Sequence, residues 1–257
     1  MKIRNLSFSS RVETGDSFAW VYQLEDLGYT GWEIVQEGFQ TLDEDNLGEV
    51  REIRDTTDLK ITMHLPFSDM NLAGLNDGIR NEALRQMNRC LELGNEIVEL
   101  AVVHPGYLSP YGSQMPEKAW STHIGSIRNV CDTAAEYGIT IAVENMPEMP
   151  KIFGKYPDEM LRTLEEVNRD NVGMTLDIGH ANTVGVVDEF LEKCKDQILH
   201  MHIHDNHGKS DEHLPLGRGT VQWKKVMESL KGYNGRLVTE MASLQEGEEC
   251  LAYLRNL

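Results

Sequence analysis

Three observations predict an α/β protein built as one (β/α)8 barrel over residues 1–257. Short runs rich in Val, Ile and Thr are each followed by a longer stretch with helical spacing. The alternation repeats eight times, and no composition break or low-complexity linker interrupts it. The length of 257 residues agrees with the roughly 250 usual for this fold, although two domains of about 150 residues would satisfy length alone. An open doubly wound sheet is the alternative arrangement of the same repeat.

The expected strands are residues 3–8 (IRNLSF), 31–35 (GWEIV), 59–65 (LKITMHL), 97–104 (IVELAVVH), 140–144 (TIAVE), 172–177 (VGMTLD), 198–204 (ILHMHIH) and 236–240 (RLVTE). Helical spacing lies between them at 16–27, 79–93, 119–137, 157–168 and 221–230. Gly28, Gly94 and Gly138 fall where such helices end, each suited to a left-handed cap before the next strand.

Hydrophobic residues make up 40% of the chain, enough for a sizeable core, and no apolar run approaches the ~20 residues of a membrane span. The opening MKIRNLSFSSRVETGD has neither the apolar stretch nor the cleavage site of a secretory signal, so a cytoplasmic protein is expected. Cys90, Cys131, Cys194 and Cys250 are widely separated, form no CxxC pair and fall in helical stretches, which favours reduced thiols. A net charge of −18 argues against broad nucleic-acid binding, although bound metal can reverse the field locally. The number of subunits, a homo-oligomer included, stays open.

Barrels of this type place their chemistry at the carboxyl ends of the strands. The third strand ends in ITMHLP with His64, the fourth in VVHPG with His104, the fifth in AVEN with Glu144 and the sixth in TLDIGH with Asp177 and His180. The seventh reads HMHIHD, the eighth ends at Glu240, and the loop after the seventh adds Asp211 and His213 in DEHLPLGRG. Singly, each has a plainer reading: a hydrogen-bonded strand-end histidine, a helix-capping carboxylate, an Asx turn at Asp177, a solvated loop charge at Asp211. Jointly, six consecutive strands ending in a good ligand imply one mouth that binds divalent metal. Imidazole and carboxylate suit Zn²⁺, Mn²⁺, Co²⁺ or Mg²⁺, and a thiolate-rich structural zinc site lacks its cysteines. A cation also explains how Glu144, Asp177 and Glu240 can share a buried site. His200, His202 and His204 share one strand parity; the upper two belong near the mouth and His200 to a lower layer of the barrel. His123 and His207 read as exposed or structural.

HLPFSDMNLAG, VVHPG, AVENM, LDIGHA, HIHDN and DEHLPLGRG together resemble the xylose-isomerase-like TIM barrels, which include sugar isomerases and epimerases and the metal-dependent apurinic-site endonucleases (AP endonuclease family 2). The resemblance runs from Gly31 to Glu240. In the endonuclease branch it implies nine ligands for three zinc ions: His64, His104, Glu144, Asp177, His180, His202, Asp211, His213 and Glu240. In the sugar branch it implies one metal on Glu144, Asp177, a histidine of the HxH pair and Glu240, with His180 facing substrate. The first strand lacks the glycine-histidine entry of the nucleases, and GYTGWEIVQEG, with Glu33 and Glu37, and LDIGHAN read like the sugar enzymes.

The resemblance and the charge favour an isomerase or epimerase of a small sugar, sugar phosphate or polyol. In this chemistry a metal polarises a carbonyl and its neighbouring hydroxyl while Glu144 and Glu240, as the catalytic pair, remove and return a carbon-bound proton through an enediolate. His180, His204, Lys209 and Arg218 are the candidate substrate contacts, the last two also reading as ordinary loop charges. The alternatives are phosphodiester cleavage at an abasic site by up to three ions, and a barrel that binds sugar or metal without turnover. Loop seven and residues 106–118 are expected to cover the mouth.

Overall fold

The computed structural model describes residues 5–10 and 17–257. Eight parallel strands close into a barrel in chain order: β1 (Leu6–Ser10), β2 (Gly31–Val35), β3 (Lys60–His64), β4 (Leu100–Val103), β5 (Thr140–Glu144), β6 (Val172–Asp177), β7 (Ile198–Ile203) and β8 (Arg236–Met241), with β8 pairing back on β1. The helices among the described residues are α1 (Gln23–Leu27), α2 (Leu47–Thr56), α3 (Asp77–Leu93), α4 (Pro116–Glu136), α5 (Pro157–Val167), α6 (Ile178–Val184), α7 (Val187–Lys193), α8 (Trp223–Ser229) and α9 (Leu244–Arg255). The expected single barrel is therefore the observed one. Part of the first expected strand, and residue 16 of the first expected helix, lie outside the described residues. No helix among the described residues is long and apolar enough to cross a membrane.

Strand alternation separates two interiors. Residues such as Phe8 and Met63 face the helices: Phe8 packs against Trp20 and Tyr29 at ring distances of 5.8 and 5.6 Å, and the main apolar core lies in this layer. Facing inward are polar residues, with Thr62 and His200 both bonded to Glu33 at 2.9 and 2.7 Å. A barrel interior is usually filled with branched aliphatics, so this buried polar layer is a departure that calls for a reason.

Helix ends follow local chemistry. Gly28 and Gly138 adopt positive φ (106° and 68°), but Gly94 does not conform to expectation: its φ is −73°. A Cβ there would meet the Met63 methyl at 2.8 Å and the Cys90 carbonyl at 3.2 Å, so a side chain would require its neighbours to shift. The four cysteines are buried, free thiols.

His123 on α4 is wholly buried against Trp120 and Phe153, and its Nδ1 accepts the Gly106 N–H at 3.4 Å. Burial pushes its pKa down from 6.5 to about 3. The unfolded chain therefore takes up this proton first as pH falls. The neutral ring's contribution is complete above about 6.5 and declines by up to about 1.4 kcal/mol per pH unit below it. In urea unfolding between pH 7 and 5, the stability difference between wild type and His123→Gln should shrink as pH falls. A difference independent of pH would contradict this assignment.

Candidate metal centre

The upper ends of the strands converge as the alternation requires. His64, Glu144 and Asp177 end β3, β5 and β6, His202 and Glu240 lie on β7 and β8, and His104 follows β4. Asp177 serves two purposes: Oδ1 accepts the His180 N–H at 2.6 Å and so caps α6, which leaves Oδ2 to face the mouth. His180 is thereby delivered on the first turn of that helix.

Three groups result. In the first, His64 Nε2 and His104 Nε2 each lie 3.1 Å from Glu144 Oε2. In the second, His202 Nδ1 faces Glu144 Oε1 at 3.0 Å, Glu240 Oε1 at 3.4 Å and Asp177 Oδ2 at 3.9 Å. In the third, His213 Nε2 and His180 Nε2 lie 2.9 and 3.3 Å from Asp211 Oδ2. Glu144 joins the first two groups through its separate oxygens, and His180 joins the second to the third, its Nδ1 3.5 Å from Glu144 Oε1 and its Nε2 on Asp211.

Loop seven reaches the mouth through Asp205, which is fully buried. Its Oδ1 accepts N–H groups of Asn206 and Val221 at 2.9 and 3.1 Å, and its Oδ2 accepts Gly217 N–H and Trp223 Nε1–H, both at 2.9 Å. A two-way backbone bridge between Asp205 and Leu214, both bonds 2.8 Å, sets the neighbouring His213, whose φ of 50° turns its ring onto His204 at 3.8 Å. Histidine is among the residues that tolerate this left-handed conformation. Asp205→Ala should lower unfolding stability by about 3 kcal/mol, because four donors lose a charged acceptor together. It should also make the loop of Asp211 and His213 sensitive to limited proteolysis; denaturant unfolding and peptide mapping measure the two effects.

Burial acts to raise the Glu144 carboxyl, but His202 and His104 outweigh it and hold the group well below the usual carboxylate range. Asp177, likewise buried, is lowered by His180 and His204. Glu240 moves the other way: burial raises it, and the histidines His202 and His213 offset this only in part. Burial opposes charge on His202 and His180, yet the carboxylates around each raise them well above the ordinary histidine value.

The donor set fits a divalent cation. Several overlapping groups of three or four imidazole and carboxylate atoms lie within 4.8 Å of one another. Asp211 Oδ1 and His213 Nδ1 are buried there without a hydrogen-bond partner among the described residues. The outer nitrogens of two ligand-type histidines are already occupied: His64 Nδ1 contacts Leu65 O at 2.9 Å and His180 Nδ1 contacts Asn145 O at 2.8 Å, which leaves each Nε2 lone pair toward the mouth.

All nine residues assigned to metal from the sequence are thus brought together. Two expected substrate contacts have protein partners. His204 is fully buried between Asp177 Oδ2 at 3.1 Å and Asp211 Oδ1 at 3.5 Å, within the ligand cluster. Arg218 is exposed and pairs with Glu249 on α9 at 2.5 Å. Lys209 is exposed on the loop. His207 is exposed beside Glu212 at 3.0 Å, and His200 lies a layer below His202 on Glu33. Asn145 was not singled out from sequence; its side chain donates to Asp177 O and accepts Asp177 N–H, locking β5 to β6 beneath the carboxylates. Phe67, also not singled out, stacks on His104 at 4.8 Å, held by Glu37, whose Oε1 accepts the Phe67 and Ser68 N–H groups at 2.8 Å each.

A closed parallel barrel whose strand ends gather imidazoles and carboxylates defines a TIM barrel with a candidate metal site at the carboxyl ends of its strands. The chain belongs to the xylose isomerase-like TIM barrel family, whose profile matches residues 21–257. It is 34% identical to an uncharacterised protein of Methanocaldococcus jannaschii over 87% of this chain and 78% of that one. It is 33% identical to a solved D-tagatose 3-epimerase-like protein, with a TM-score of 0.90 and coverage of 98% and 96% of the two chains. Fructoselysine 3-epimerase of Escherichia coli O157:H7 is 21% identical over 87% of this chain and 84% of its own.

Proposed function

We propose that this chain is a divalent-metal-dependent epimerase or isomerase acting on a small sugar, sugar phosphate or polyol. The observation that carries the reading is the pair Glu144 and Glu240, whose Oε1 atoms approach His202 Nδ1 at 3.0 and 3.4 Å from β5 and β8. The epimerase names of the relatives support it. A cation held by Glu144, Asp177, His202 and Glu240 would supply Lewis-acid polarisation of the substrate's carbonyl and adjacent hydroxyl. Of the two glutamates, one accepts the proton beside the carbonyl and the other returns one from the opposite face. Glu240, with its side chain 12% exposed against 1% for Glu144, is the more open to the mouth. His180 and Phe67 border the substrate space, and Lys209 is a candidate contact for a phosphate or terminal hydroxyl.

The direct test is loss of deuterium from the carbon beside the carbonyl across a panel of ketoses, with and without phosphate. Exchange with one ketose and formation of its epimer establish the reaction; no exchange with any of them, in protein loaded with manganese, cobalt or zinc, refutes it. One observation favours a second reading, phosphodiester cleavage at abasic sites: the third group, His180, Asp211 and His213, completes a ligand set for three ions. Elemental analysis separates the two. Three zinc ions per chain with turnover of abasic duplex DNA support cleavage, and one exchangeable ion supports sugar chemistry.

A further inference from the structure

Glu33 is a carboxylate with no exposed surface in the middle of the barrel, a layer below the proposed metal centre. Such a group is costly to bury, and its surroundings show what it is held for. Two neighbours fix its orientation. Thr62 Oγ1 donates to Oε2 at 2.9 Å, and His200 Nε2 bonds the same oxygen at 2.7 Å. The remaining oxygen, Oε1, is turned to His202 Nε2 at 2.9 Å. That contact lies off the ideal hydrogen-bond line, and neither atom has a hydrogen-bond partner elsewhere among the described residues.

His202 differs from the other ligand-type histidines in direction. His64 and His180 present Nε2 to the mouth and tie Nδ1 to a backbone carbonyl, of Leu65 and Asn145 respectively. His202 presents Nδ1, toward Glu144, Glu240 and Asp177, so its other nitrogen points down into the barrel. There the acceptor is a side chain, and Glu33 is that side chain. A carboxylate on this nitrogen keeps the proton at Nε2, leaves the Nδ1 lone pair free for a cation and fixes the plane of the ring.

We infer that Glu33 is a positioning residue, which acts through His202 Nε2 to set the tautomer and aim of the central ligand, with Thr62 and His200 holding its rotamer. This rests on the reading that the cluster above binds a divalent cation. It also gives the polar barrel layer its reason. Glu33 lies a layer below the proposed cation and meets the cluster through His202 Nε2, so its effect is transmitted by that ring.

The test uses the full chain with ¹⁵N-labelled histidine, as wild type, Glu33→Gln and Glu33→Met, with folding checked by circular dichroism. Cobalt(II) titration followed by visible absorption should show about 10- to 100-fold weaker binding in Glu33→Met, with Glu33→Gln between it and wild type because one acceptor oxygen remains. In metal-free protein, the His202 Nε2–H should give a downfield, slowly exchanging signal in wild type that is lost in Glu33→Met. A folded Glu33→Met that keeps both the cobalt affinity and the signal overturns the inference. If that variant does not fold, the same comparison on the nearly isosteric Glu33→Gln decides. If wild type binds no cobalt, the metal reading fails, and the presence or loss of the Nε2–H signal in the variants still decides whether Glu33 holds His202.

Discussion

Glu144→Gln is expected to lower kcat/KM by about 10³-fold or more, the largest effect of any single substitution in this barrel. The reason is that both oxygens are in use: Oε2 faces His64 and His104, and Oε1 faces His202. An amide keeps one acceptor and replaces the other with a donor, which cannot share a cation and which opposes whatever group faces it. The proton-transfer base is lost in the same step. Metal content should fall with activity, while the fold, built on the apolar layer outside the strands, should persist. Kinetics, elemental analysis and circular dichroism on one preparation measure the three. A Glu144→Gln protein with near-normal turnover would remove the proposed catalytic pair.

Withdrawal of the metal is the second large effect. Equilibration with a chelator should abolish activity and lower the thermal midpoint, because a cation present at about 1,000 times its Kd stabilises the folded state by about 4 kcal/mol. For a chain of this size that corresponds to a fall of about 10 °C. The sign with pH follows from the histidines. In the metal-free protein His202 and His180 hold their protons well above the ordinary value, and ligand atoms must be free of protons to bind. Metal uptake therefore releases protons, and affinity should strengthen as pH rises; calorimetry in buffers of different ionisation enthalpy counts those protons. A midpoint and activity indifferent to chelation would oppose the account.

The strands were legible where apolar alternation was undiluted: β2, β5 and β6 run over the residues expected from Val, Ile and Thr content alone. The fourth was read too long, because Ile97 and Val98 are buried but belong to the turn that leaves α3, where both N–H groups bond Gly94 O. The short α6 was not expected, since LDIGHAN looks like an Asx turn; the Asp177 side chain makes that turn into a helix cap. The convergence of the candidate ligands was legible because ligand types recur at strand ends, a local pattern that barrel closure converts into proximity. Its supports were not. Glu33 and Glu37 appear in sequence as a motif on the second unit, but their partners, His200 and His202 on β7 and the backbone after β3, are distant in the chain. The same holds for Arg218, whose charge suggests an anion site until α9 supplies Glu249.

The central claim is that one cation sits among Glu144, Asp177, His202 and Glu240. Anomalous diffraction from crystals of the purified protein, recorded on both sides of the absorption edge of the metal found by elemental analysis, tests it most directly. The account predicts an edge-dependent peak within bonding distance of those four side chains. Carboxylates and imidazoles that meet around no such peak, in crystals supplied with manganese, cobalt or zinc, would contradict it.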